Sequence, residues 1–181
     1  MNDGQMNLFA PDKRLAAICG LFCPACTLFI GTSEDPDRLN ASAARLQRQI
    51  EEIQCYGCRS EKRCFFCHEN CKMAKCAAEK GIEFCGQCDE YPCSELKLFQ
   101  SQMPHRIELW KSQARIKEVG VEKWYAEMVE HYSCPECRTI NSAYDIVCRK
   151  CGTTPSCSYV SLHKDQIVQD LIKITALASK E

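Results

Sequence analysis

Apolar positions recur at helical spacing in several parts of the chain. Leu39, Ala43, Leu46, Ile50 and Ile53 fall at steps of four and three, which predicts a helix between Gly31 and Ile53. Ser33 or Asp35 can cap it, Pro36 suits its first turn, and Arg45, Arg48 and Glu52 lie opposite the stripe. Lys72 to Lys80 reads as a short helix closed by Gly81. Ser94 opens another through Phe99. Pro104 then opens a longer helix, with Ile107, Trp110 and Ala114 on one face and Leu109 and Ile116 beside it. Beyond Gly120, the residues Val121, Trp124, Tyr125, Met128, Val129 and Tyr132 continue the pattern, so a helical hairpin is expected with both tryptophans in the core. A last helix spans Leu162 to Leu177. Its stripe of Ile167, Leu171, Ile174 and Ala178, widened by Val168 and Ile172, suffices to dock on the adjoining segment or on a second subunit.

Cysteine fills the intervals. Seventeen of 181 residues are Cys, and nine of them lie between positions 55 and 93: Cys55, Cys58, Cys64, Cys67, Cys71, Cys76, Cys85, Cys88 and Cys93. A C-x-x-C turn aims two thiolates at one ion, so each pair offers half of a tetrahedral site. Phe65, Phe66 and Phe84 are expected to pack around the sulfurs. Upstream, Cys19, Cys23 and Cys26 have the C-x3-C-x2-C spacing of radical S-adenosylmethionine enzymes, but no barrel of alternating strands and helices follows. The N-terminus shows neither a basic segment followed by an apolar run nor a membrane-spanning stretch, so a cytoplasmic protein with reduced, metal-ligating thiols is expected.

Cys134 and Cys137, then Cys148 and Cys151 after ten residues, have the spacing of a four-cysteine zinc ribbon with short β-hairpins. Zinc is the expected metal, and rubredoxin-like iron the alternative. The twelve N-terminal cysteines comprise four C-x-x-C pairs and four singles, Cys19, Cys71, Cys76 and Cys93. Twelve ligands fill three sites, whereas pairs alone fill two. Cys76 could instead be a buried free thiol, and Cys157 is the expected odd cysteine. His68, His105, His131 and His163 read as surface or cap residues rather than ligands.

The expected architecture is a small metal-stabilised fold, mainly α with irregular cysteine-rich loops. It comprises a flexible tail (1–13), a cysteine-rich metal-binding domain (14–103), a helical hairpin (104–132), the ribbon (133–160) and a terminal helix (161–181). The formal charge of −1 counts every cysteine as neutral. Each four-thiolate zinc carries about −2, so four sites would bring the chain to about −9. Nucleic-acid binding through Arg138, Arg149 and Lys150 is therefore unfavoured, and Glu136 and Asp145 offset those cations further. With no Ser/His/Asp arrangement, phosphate-binding glycine loop or mixed His/Cys zinc site, the chain is expected to be non-enzymatic and to act through a protein partner, as a monomer or a homo-oligomer. The alternative is an iron–sulfur redox protein, in which Cys19, Cys23 and Cys26 with a distant fourth thiolate, or the Cys64, Cys67 and Cys71 run, hold a cluster; Pro24 and Pro92 each adjoin a cysteine, as is common in such proteins.

The motifs CGLFCPAC (Cys19–Cys26), CYGC (Cys55–Cys58) and CKMAKCAAEKGIEFCGQCDEYPC (Cys71–Cys93) together resemble the cysteine-rich domain-of-unknown-function 3795 family over roughly residues 15–100. Cys64 and Cys67 fit its cysteine-rich middle. The resemblance implies a metal-binding domain with no assigned reaction, to which the ribbon is appended.

Overall fold

The stripe between Gly31 and Ile53 is divided among three helices. The computed structural model describes residues 7–69, 71–100 and 103–178, with side chains through Ala176. Residues 1–6 of the expected tail, residues 179–181 and the side chain of Ala178 lie outside this. Helix α1 is Thr27–Ser33. Asp35 caps α2, Pro36–Leu46, by accepting the Arg38 N–H at 3.0 Å. The predicted helix then breaks at Gln47, whose φ of 51° puts it in the left-handed region. It restarts as α3, Ile50–Ile53, where the Glu52 carboxylate accepts the Gln49 N–H at 2.9 Å. The break leaves Ile53 buried and Ile50 exposed.

The remaining helices are α4 (Phe65–His68), α5 (Lys72–Lys80), α6 (Ser94–Gln100), α7 (Leu109–Val119), α8 (Val121–Tyr132) and α9 (Ser158–Ala178). Gly81 closes α5 at φ 64°, where a side chain would be strained. Pro104 opens a separate 3-10 turn, Pro104–Arg106, ahead of α7. Among the described residues the only β pairings are isolated bridges, Ala16–Phe22 and Ser133–Ile140. The short β-hairpins expected of the ribbon are thus absent. Past Ile140 the backbone turns on itself instead of laddering: the Ser142 N–H donates to Asp145 Oδ2 at 2.8 Å, and the Asp145 N–H to the Ser142 carbonyl at 3.0 Å.

One cluster of buried side chains runs from Leu15 through Phe22, Trp124 and Tyr159 to Ile167, drawing on the cysteine-rich segment, the hairpin, the ribbon and α9. Phe22 is its pivot. Its ring lies 5.1 Å from Tyr125 and 5.8 Å from Tyr132, and Tyr132 stacks on Tyr159 at 4.8 Å. Such contacts add to the burial term and fix ring orientation. The loop bearing Cys19 and Cys23 is thereby pinned to α8 and α9. A satellite cluster joins Leu28, Leu39, Ala43 and Ile53 to Cys55 and Cys64. Only one tryptophan is core: Trp124 is buried, but Trp110 is 37 % exposed. The buried face of α7 carries Leu109, Ser112, Gln113 and Ile116, rather than the expected Ile107, Trp110 and Ala114.

Three histidines form internal bonds that sequence did not suggest. His131 Nε2 lies 2.8 Å from Glu108 Oε2, His163 Nε2 lies 2.7 Å from Glu108 Oε1, and His105 Nδ1 lies 2.7 Å from the Tyr144 hydroxyl. Glu108 thus ties the start of α7 to both α8 and α9. Burial alone would raise its carboxyl pKa, but the two histidines outweigh burial and hold it at about 2, against 4.5 for a free glutamate. A depressed acid stabilises the fold above its unfolded pKa, and that stability fades as pH falls from 4.5 toward 2. We expect Glu108→Gln to cost about 2 to 3 kcal/mol at neutral pH. The wild-type advantage in denaturant unfolding should shrink steadily below pH 4.5, and an advantage independent of pH would contradict the brace.

Candidate metal centre

The four ribbon thiols, Cys134, Cys137, Cys148 and Cys151, all lie within 4.8 Å of one another. Among the described residues no other group of three or more Cys, His, Asp or Glu gathers so closely. Two turns of identical build bring them there. The Cys134 N–H donates to the Thr139 carbonyl at 2.8 Å, and the Cys148 N–H to the Thr153 carbonyl at 2.8 Å. Arg138 N–H returns to the Cys134 carbonyl at 3.0 Å, as Gly152 N–H does to the Cys148 carbonyl at 3.0 Å. Both closing residues need positive φ, 61° for Arg138 and 79° for Gly152. Thr139 Oγ1 sits 3.3 Å from Cys137 Sγ, and Thr153 Oγ1 3.2 Å from Cys151 Sγ. The signature is therefore C-x-x-C-x-T repeated, and its threonines were legible in sequence.

Asn141 joins the two turns. Fully buried, it donates to the Thr139 carbonyl at 2.9 Å and the Ser156 carbonyl at 3.2 Å, and accepts the Arg149 N–H at 3.1 Å. Bonds from Thr139 lower the Cys137 pKa. Burial opposes ionisation of Cys148, yet the amides of Cys151 and Lys150 carry its pKa below the usual thiol value. Burial pushes Cys134 up to about 11. Four close thiols supplied with donors that stabilise thiolate are chemically fit to hold a metal ion.

The N-terminal thiols form looser sets. Cys55 and Cys64 are buried in one cluster, and Cys67 packs against it. The mutual influence of these neighbouring thiols lowers the pKa values of Cys55 and Cys58 and raises those of Cys64 and Cys67. The Cys58 N–H donates to Cys23 Sγ at 3.4 Å, and burial, with the charges of neighbouring thiols, raises the pKa values of Cys23 and Cys26. Burial raises the Cys85 pKa, and the charges of Cys93, Cys71, Cys76 and Cys88 raise it further. Cys19 is buried, and burial, with the charges of Cys58, Cys71 and Cys85, raises its pKa. Cys76 is exposed on α5, so it is not a buried free thiol; Cys157 is buried in the shared core beside Ser156. Of the three phenylalanines expected around the sulfurs, Phe84 is buried and Phe66 is exposed.

Gln113 positions two of these loops. Its Nε2 donates to the Ile18 carbonyl at 2.9 Å, and its Oε1 accepts the Gly86 N–H at 2.7 Å. The Ile18 carbonyl also accepts the Cys85 N–H at 2.9 Å, which joins the Cys19 loop to the Cys85 loop. Glycine is required at both contacts, because a Cβ on Gly20 or Gly86 would stand 2.8 Å from the Gln113 amide.

A helical scaffold with cysteine-rich loops, one of which gathers four thiols, defines a candidate metal-site protein. Residues 15–98 match the model of a family described as a protein of unknown function, DUF3795, over nearly the span that the cysteine motifs suggested. No curated protein and no solved structure matches the chain.

Gln113→Ala should cost about 2 to 3 kcal/mol, because Gly86 loses its partner in a buried site. Amide exchange at Gly86 should quicken with it, and unchanged protection there would exclude the clamp. Asn141→Leu should weaken metal binding at the ribbon by about 10- to 100-fold in a chelator competition, the usual loss when a group orienting the ligands is removed. An unaltered affinity would reduce Asn141 to a packing role.

Proposed function

We propose that this protein is a zinc-binding, non-enzymatic cytoplasmic protein that works by presenting a metal-stabilised surface to a protein partner. The observation carrying this reading is the ribbon, with four thiols within 4.8 Å in two matching turns. One tetrahedral ion fits that spacing, whereas an inorganic iron–sulfur cluster needs its cysteines spread around a larger core. Cytoplasmic conditions keep such thiols reduced for the metal. None of the seventeen cysteines is in a disulfide, and no described helix is long and apolar enough to cross a membrane. Two of the three ribbon cations are already paired, Arg138 with Glu130 and Arg149 with Glu34, which lowers their availability to phosphate. A protein partner is favoured by the exposed Leu162, Val168 and Ile172 of α9.

Elemental analysis of anaerobically purified protein tests the reading. At least one equivalent of zinc per chain is expected, and Cys148→Ser should lose one equivalent. Less than one equivalent in the wild type, or iron with visible charge-transfer absorption, would replace zinc with the iron–sulfur reading.

A further inference from the structure

Three C-x-x-C pairs converge in the N-terminal half, and the middle pair touches both others. On one side Cys55 shares a buried cluster with Cys64, and Cys67 packs against it. On the other, the Cys58 N–H points at Cys23 Sγ from 3.4 Å. An amide aimed at a sulfur from a different loop is how a chain stabilises a ligating thiolate. Cys55 and Cys64 are both buried in the satellite cluster with Leu28 and Ile53, so charge on these sulfurs needs a cation to offset it.

A second observation comes from Arg63, one residue before Cys64. Its Nη1 reaches the Cys58 carbonyl at 3.5 Å, and its Nε is buried without a hydrogen-bond partner. A guanidinium is always charged, and burying one of its donors unpaired is unfavourable unless negative charge lies nearby. Six thiolates around two divalent ions carry a net charge of about −2, which supplies that charge beside Cys58.

We propose that Cys23/Cys26, Cys55/Cys58 and Cys64/Cys67 form a single six-thiolate centre for two thiophilic divalent ions, with Cys55 and Cys58 shared between them. Two tetrahedral ions need eight ligand positions, and six sulfurs supply these only if two of them bridge. Cys55 clusters with Cys64 and Cys67 while Cys58 meets Cys23, so this pair stands between the other two. The outer pairs each complete one ion, and Arg63 offsets the residual charge. This inference rests on the metal-binding reading above and extends it to a centre separate from the ribbon.

The test uses the full chain loaded with zinc. Zinc is withdrawn stepwise by a chelator while free thiols are alkylated with N-ethylmaleimide and mapped by peptide mass. Cys23, Cys26, Cys55, Cys58, Cys64 and Cys67 should resist labelling together and become reactive together as two ions leave. Among variants, Cys23→Ser/Cys26→Ser and Cys64→Ser/Cys67→Ser should each lose one zinc by native mass spectrometry, and Cys55→Ser/Cys58→Ser should lose two. The labelling arm needs no variant and stands even where one fails to fold. Immediate labelling of Cys23 and Cys26 with the other four protected would overturn the shared centre in favour of one ion. Protection of the ribbon cysteines alone would overturn this centre while leaving the proposed function intact. A chain without bound zinc would remove both.

Discussion

The carboxamide of Gln113 stands where the Cys19 loop, the Cys85 loop and helix α7 meet, and it hydrogen-bonds both loops from inside the core. A buried carboxamide is costly unless its donor and acceptor are both used, and Gln113 uses both. Its neighbours are glycines because the amide occupies the space a Cβ would need. This single polar side chain sets the rotation of α7, turning Gln113 inward and Trp110 toward solvent. Once α7 is fixed, α8 follows through the turn at Gly120, and Phe22 is enclosed by Trp124, Tyr125 and Tyr132.

The two halves of the ribbon reach the same geometry by different residues. Gly152 adopts positive φ at little cost, whereas Arg138 does so as a side-chain-bearing residue and is also held by its ion pair with Glu130. The ribbon is anchored to the rest of the chain on the far side. Arg38 of α2 makes a two-pronged contact with Asp145 at 2.9 and 3.2 Å, and Thr27 Oγ1 lies 3.2 Å from Ser142 Oγ. The pair is largely shielded from water, so salt screens it less than an exposed ion pair. Polar contacts thus join the ribbon to both α1 and α2.

Glu108 plays the corresponding part between the hairpin and α9. One carboxylate accepts from histidines on two different helices, so α8 and α9 keep their relative setting through a charged acceptor rather than through apolar fit alone. Tyr159, stacked on Tyr132, donates its hydroxyl to the Pro104 carbonyl at 2.6 Å and closes the same corner.

Features governed by neighbours in sequence were readable from it. Helix α5 ends at Gly81 because a left-handed glycine closes the turn locally, and the ribbon is legible because each C-x-x-C turn is built from hydrogen bonds spanning five residues. The same locality made Asp35 and Pro36 readable as the start of α2. Periodicity failed where distant residues overrode it. The stripe through Leu46 and Ile50 carries no sign of the break at Gln47, and the apolar face drawn through Trp110 yielded to Gln113, whose partners lie 95 and 27 positions away. His131 and His163 looked unremarkable because Glu108, their common acceptor, is distant in sequence from each. Sequence determined that the thiols come in pairs, since a pair is made by one turn. Which pairs meet was decided by the tertiary structure, because that depends on how loops tens of residues apart are carried together by the helices between them.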